Sequence, residues 1–129
     1  MSDIKRISTA NAPKAIGPYS QAVVHNGCVY LSGQIGLDPK TMDFAGNDFL
    51  SQASQIWKNI SSILLSSDSS ISDIIKINVF IKDISDFAIL NKIMEDILGG
   101  NLPARSTVEV SDLPLGALLE IDVVAGVKK

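Results

Sequence analysis

Gln21-Ala-Val-Val-His-Asn-Gly-Cys-Val-Tyr-Leu-Ser32 is the stretch on which the fold turns. Two apolar-rich runs flank Asn26-Gly27, the dipeptide preferred in type I′ hairpin turns because both central residues take positive φ. A two-residue loop also fixes the register. His25 then faces Cys28, Val23 faces Tyr30 and Gln21 faces Ser32 on one side of the ribbon; Val24 with Val29 and Ala22 with Leu31 occupy the other. The chain therefore contains a β-hairpin whose two faces differ in polarity.

Downstream the period changes. Phe49, Ala53, Ile56, Ile60, Ile63 and Leu64 recur mostly at three and four residues, so residues 48–66 read as an amphipathic helix, with Asn47 or Asp48 as N-cap. Residues 74–82 alternate, with Ile75, Ile77, Val79 and Ile81 against Lys76, Asn78, Phe80 and Lys82, and predict a half-buried strand. A second helix starts near Ser85, carries Phe87, Leu90, Ile93, Met94 and Ile97 on one stripe, and stops at Gly99-Gly100. Strands at residues 105–110 and 118–127 close the chain, and residues 5–8 leave room for a short extra strand. The resulting order predicts an α+β two-layer sandwich, a mixed sheet with two helices on one face.

The remaining composition narrows the classes of function. With 129 residues and no repeat, linker or low-complexity tract, one domain over 1–129 is expected. Hydrophobic residues at 46% supply a core. Eleven basic against fourteen acidic side chains leave a charge of -3, opposite to what gripping a phosphate backbone needs. One cysteine, Cys28, rules out an internal disulfide framework, and with a single histidine, His25, neither a zinc site of the usual ligand count nor a Ser-His pair is easily built. No apolar run approaches the ~20 residues of a membrane span, and the N-terminus does not resemble a signal peptide, so a cytoplasmic protein is expected.

If apolar parity marks the face that the helices cover, the covered residues are Val24, Val29, Ile75, Ile77, Val79, Ile81, Val108, Val110, Leu119, Ile121 and Val123. The opposite face then holds Gln21, Ser32, Lys76, Asn78, Arg105, Thr107, Glu109, Glu120 and Asp122, joined by Tyr19 if the first hairpin strand extends backward. Val23, Tyr30, Phe80 and Leu118 interleave with them. Such a face is too apolar to stay wet and too polar for a dry core, which points to a homo-oligomer with polar clefts at its interfaces. Arg105 is one of only two arginines and opens a strand in Pro-Ala-Arg-Ser, where its planar fork suits a carboxylate. The plain alternative is an inter-strand ion pair with Glu120 or Glu109. Glu120 has the most apolar sequence neighbourhood of any acid in the chain, a setting in which a carboxylate can position or deprotonate water.

These blocks resemble one family. Ile16-Gly-Pro-Tyr-Ser-Gln21, Tyr30-Leu-Ser-Gly-Gln-Ile35, Val79-Phe-Ile-Lys-Asp83, Pro103-Ala-Arg-Ser-Thr-Val-Glu-Val110 and Leu113-Pro-Leu-Gly-Ala-Leu-Leu-Glu-Ile-Asp122 are similar, in order and spacing, to the Rid (YjgF-like) family. The resemblance implies a chorismate-mutase-like fold assembled as a homotrimer, with sheets lining a central barrel and sites in the inter-subunit clefts. It further implies hydrolysis of enamine and imine acids, such as 2-aminoacrylate, 2-iminopropanoate and 2-iminobutanoate, to 2-oxo acids and ammonia without metal or organic cofactor. Carried over, the carboxylate-binding arginine falls on Arg105 and the water-orienting glutamate on Glu120. Tyr19 takes the place of the pocket tyrosine, with a proton-shuttling role, and Ser32 and Gly33 form the pocket wall. Thr107 stands where many members have cysteine, and its expected contribution is the backbone N–H. Leu115 stands where many carry a polar or basic residue. Asn91 matches a recurrent position, read here as a structural hydrogen-bonder on a helix.

Other signals are weaker. Asn59-Ile-Ser61 matches a glycosylation sequon but lies inside the first helix; Cys28 and Trp57 read as packing residues and His25 as an exposed turn neighbour. The glycines form no phosphate loop. Two further functions compete with the deaminase: a non-catalytic regulatory trimer that binds a small acid at Arg105, and an RNA-cleaving or translation-inhibiting protein. A mere binder has no use for Glu120. The acidic charge, the single histidine and the lack of an aromatic-basic stripe weigh against RNA.

Overall fold

A computed structural model describes residues 3–128; Met1, Ser2 and Lys129, the ends of the 1–129 domain reading and the start of the leader reading, lie outside the described residues. Six strands form one sheet: β1 (Lys5–Ile7), β2 (Ala22–His25), β3 (Cys28–Leu31), β4 (Ile74–Ile81), β5 (Ala104–Glu109) and β6 (Leu119–Gly126). Their order is β1-β2-β3-β6-β4-β5, with β4 and β5 parallel and the other neighbours antiparallel. Helices α1 (Phe49–Ser66) and α2 (Phe87–Leu98) complete the α+β sandwich. The hairpin has the expected register, His25 opposite Cys28 through Ala22 opposite Leu31, and its turn residues Asn26 and Gly27 have φ of 51° and 79°.

Each helix forms where its sequence is amphipathic, and the first of them has a side-chain cap. Asp48, in extended backbone, caps α1 by accepting from the Ser51 N–H at 3.0 Å. Hydrogen bonding from Ser51, by its side chain first and its backbone N–H second, holds the Asp48 carboxyl below its usual range. Gly99, at φ 61°, ends α2. The buried stripe of α1, with Ala53, Ile56, Ile60, Ile63 and Leu64 all at 0%, meets Ile77, Val79 and Ile81 of β4 and Leu119, Ile121 and Val123 of β6. Strand β6 alternates buried and half-buried along its whole length, as a strand covered on one face must. None of the helices among the described residues is long and apolar enough to cross a membrane.

Two parity expectations are overturned. Ile75 is not in the core: it is 52% exposed. Ile74 pairs with Ala125 and Lys76 with Val124, so Ile75 is the extra residue of a bulge, and Ile74 takes its buried place. On β5 the two faces are exchanged. Ile77 pairs with Arg105 and Val79 with Thr107, which puts Arg105 and Thr107 on the helix-bearing side, while Val108 is 47% exposed on the open face. The reason is position: β5 is the sheet edge, where α2 offers side chains from its rim rather than a continuous apolar cover.

The loop between β3 and α1 is fixed by buried amides. Gln52 donates to the Gly46 carbonyl at 3.1 Å and accepts from the Leu118 N–H at 2.9 Å. Asn59, fully buried, donates to the Leu37 carbonyl at 2.9 Å and accepts from Gln55, so its side chain is committed inside α1 and the sequon has no glycosylation role. Trp57 is packed at 4% exposure. His25 is half-buried rather than exposed, its Nδ1 lying 3.4 Å from the Asp3 carbonyl oxygen, and Cys28 is half-buried beside the turn.

Candidate functional site

Glu120 lies on β6 opposite Phe80, on the open face of the sheet. Directly beyond β3 the chain returns to β6: the Gln34 N–H donates to the Ile121 carbonyl at 2.8 Å, and the Ile121 N–H donates back at 3.0 Å. This bridge lays Gly33 across the Glu120 side chain. A Cβ at Gly33 would stand 2.7 Å from both the carboxyl carbon and one oxygen of Glu120, so only glycine leaves the carboxylate where it is. Burial pushes the Glu120 carboxyl above its usual range, and the Asp122 carboxylate two residues along the strand adds to the rise. Asp122 itself accepts from Asn78 at 2.9 Å.

Glu120, Gly33, Tyr19, Ile16, Lys14 and Pro114 contribute to a cavity of about 170 Å³. The Tyr19 hydroxyl accepts from the Ile16 N–H at 3.2 Å, and the Ser32 hydroxyl donates to the Ser20 carbonyl at 2.6 Å. Both hydroxyls are thereby oriented. Gln21 holds the segment leading to Tyr19: its amide accepts from the Thr9 N–H at 2.7 Å and donates to the carbonyls of Thr9, Ala12 and Pro13. Leu115 is 64% exposed next to Pro114, in left-handed backbone with φ 57°.

Arg105 belongs to a second cluster. Its guanidinium donates to Asn91 Oδ1 on α2 at 2.7 Å, lies 3.6 Å from Met94 Sδ, and sits over the Phe87 ring at 5.3 Å from the centroid. The alternative of an ion pair is not met: among the described residues Arg105 pairs with neither Glu120 nor Glu109, and Glu109 accepts instead from the Ile84 N–H at 2.8 Å. Thr107 follows on the same side, its Oγ1 buried without a hydrogen-bond partner. The Val110 N–H bonds inward to the Ile81 carbonyl, so by strand alternation the N–H groups of Arg105 and Thr107 point away from β4, toward the open sheet edge.

The candidates thus fall into two groups within one chain. Tyr19, Ser32, Gly33 and Glu120 come together on the open-face side; Arg105 and Thr107 stand with Asn91, Phe87 and Met94 on the helix side. The cavity at Glu120 and the roughly 290 Å³ cavity at Arg105 share no lining residue.

The family profile described as Endoribonuclease L-PSP matches residues 9–127. The chain belongs to the Rid (YjgF-like) family. It is 46% identical over 125 residues to the "RutC family protein in leuC 5'region" of Leuconostoc mesenteroides subsp. cremoris, covering 94% of this chain and 96% of that one. It is 41% identical over 122 residues to a protein of Dermatophagoides farinae named 2-iminobutanoate/2-iminopropanoate deaminase, covering 95% of each. The crystal structure of the Rid protein YyfA from Yersinia pestis, 48% identical, superposes with a TM-score of 0.94 over 97% of this chain and 100% of the other.

Sequence reasoning missed three parts of this Rid protein's site. Gln21 looked like one more polar face residue, yet its amide clamps the Tyr19 segment; Gly17-Pro18 just upstream, with no β-pattern, was the available signal. Phe87 looked like core but is 37% exposed under the guanidinium. The partnership of Asn91 with Arg105 had no local signal, because it joins α2 to the sheet edge.

Proposed function

We propose that the protein hydrolyses small 2-imino acids, including 2-iminobutanoate and 2-iminopropanoate, to 2-oxo acids and ammonia. The observation that carries the reading is a pair of charges without ion-pair partners among the described residues: a guanidinium oriented by an amide and a carboxyl with a raised pKa, each beside a cavity. An arginine held this way keeps its fork free for a ligand carboxylate. Because Arg105 and Glu120 project from opposite faces of the sheet, we propose that each site joins Arg105 and Thr107 of one copy to Tyr19, Ser32, Gly33 and Glu120 of the next, in a cytoplasmic homotrimer. The exposed apolar residues on the open face, Tyr30 at 48% and Val108 at 47%, support burial of that face between copies.

In this reading Arg105 anchors the substrate carboxylate, with the edge N–H of Thr107 as a second donor. Glu120 takes a proton from water as the water oxygen bonds to the imine carbon, and that proton is passed on to the imine nitrogen. Glu120 then moves the hydroxyl proton of the adduct to the amino nitrogen as the C–N bond breaks, which releases ammonia, leaves the 2-oxo acid and returns Glu120 to its ionised form. The imine carbon is already electrophilic, so positioning and proton transfer suffice. The family description names an endoribonuclease, but charge and residue inventory favour the small acid. The test is imine decay: a dehydratase generates the imine, semicarbazide traps it, and added protein should reduce the trapped product. Unchanged trapping at every protein concentration would leave a non-catalytic acid binder as the better reading.

A further inference from the structure

A cleft of about 620 Å³ adjoins the Glu120 cavity. Arg6, Lys14 and Lys40 are among the residues that line it, Ser8 and Ser20 add hydroxyls, and no Asp or Glu is in the lining. On a chain of charge -3 this is a local excess of positive charge. None of the three basic residues takes part in an ion pair among the described residues. Asp38, the acid nearest Lys40 in sequence, accepts from the Lys40 backbone N–H at 2.8 Å and does not pair with its ammonium group. Lys14, Tyr19 and Gln21 line both the cleft and the cavity, so the two lie side by side on these residues.

We infer that this cleft receives a second carboxylate of the ligand, so that the site accepts dicarboxylic 2-imino and 2-oxo acids. The inference rests on the deaminase reading. With the first carboxylate on Arg105 and the reacting carbon beside Glu120, the ligand side chain must leave the cavity in another direction. Near Glu120 and Asp122 a second negative charge is repelled. Toward Lys14 it meets the three cations and two hydroxyls, and it gains most there at low salt.

Calorimetric titration of the full-length protein with 2-oxobutanoate and 2-oxoglutarate, stable counterparts of the products, tests this. The diacid should bind about fivefold tighter, the scale of exposed ion pairs. Its advantage should disappear in the double variant Arg6→Gln/Lys40→Gln, which should bind the monoacid and turn over 2-iminobutanoate as the wild type does. A preference for the diacid that survives both substitutions, or no preference in the wild type alongside normal turnover of 2-iminobutanoate, overturns the inference alone. Equal loss of both ligands with a fall in oligomer mass overturns it too, by assigning the cations to subunit contacts. If neither oxo acid binds and imine decay is not accelerated, the deaminase reading fails along with it.

Discussion

Glu120 is in a position that costs it charge. Its pKa is raised in the folded protein by burial first and by Asp122 second, so the fold favours the protonated form. The stability this contributes is fully present below the ordinary carboxylate range and is lost as pH rises through the folded value. Glu120→Gln should therefore melt no earlier than the wild type at pH 7, with any gain vanishing below pH about 4. It should bind 2-oxobutanoate almost normally while losing turnover. Early melting together with lost binding would instead identify a structural carboxylate. Wild-type turnover should rise with pH through the raised value, since the base must be ionised. Gly33→Ala forces an atom to 2.7 Å from that carboxyl, so it should cut turnover by about tenfold or more, ~1.4 kcal/mol of barrier, with an unchanged circular dichroism spectrum. Thr107 behaves differently: its buried Oγ1 has no partner, so Thr107→Val should be at least as stable and keep most activity. A hundredfold loss, about 2.7 kcal/mol, in a folded variant would show that the hydroxyl acts in the reaction.

At the scale of elements, α1 is the ridge against which the site is braced. Gln52 and Asn59 tie the loop after β3 to it, and that loop carries Gly33 to Glu120. Ile60, fully buried at the centre of the helix, supports the same packing. Ile60→Ala should cost about 2–5 kcal/mol in denaturant unfolding, with little effect on the remaining folded fraction's KM. A loss under about 1 kcal/mol would mean that the core repacks around the deletion. Strand β5 shows the opposite economy of cover. It buries little, but its parallel pairing with β4 aims Arg105 at α2, where Asn91 and Phe87 orient the guanidinium. The bulge at Ile75 exposes an isoleucine at the start of β4, two residues before the partner of Arg105, without disturbing the alternation from Ile77 to Ile81.

For the whole molecule, the separation of Arg105 from Glu120 turns the proposed shared site into a prediction about assembly. Light scattering at micromolar concentration should give three times the 13.8 kDa chain mass; a monomer mass would remove the shared site. Arg105→Ala and Glu120→Gln should each be inactive alone. Mixed, unfolded and refolded together, they should regain up to about one quarter of wild-type turnover, because in a random cyclic assembly that fraction of interfaces pairs an intact Arg105 with an intact Glu120. A site built within one chain would show no recovery.

The sequence alone was enough for the hairpin, both helices and the alternation of β6, because each depends on interactions a few residues long: the positive φ of Asn26-Gly27, the cap at Asp48, and the periods of 3.6 and 2. The residue types able to anchor a carboxylate and move a proton were legible for the same reason, from Pro-Ala-Arg-Ser and the apolar run around Glu120. Only the tertiary structure decided where they point. The facing of β5 depends on α2 and on its register with β4, and apolar parity has no authority on an edge strand that α2 covers only by its rim. Contact between Gly33 and Glu120 depends on the bridge from Gln34 to Ile121, 87 residues apart in the chain. Both are long-range pairings, and they sort a list of plausible residues into two clusters on opposite faces of one sheet.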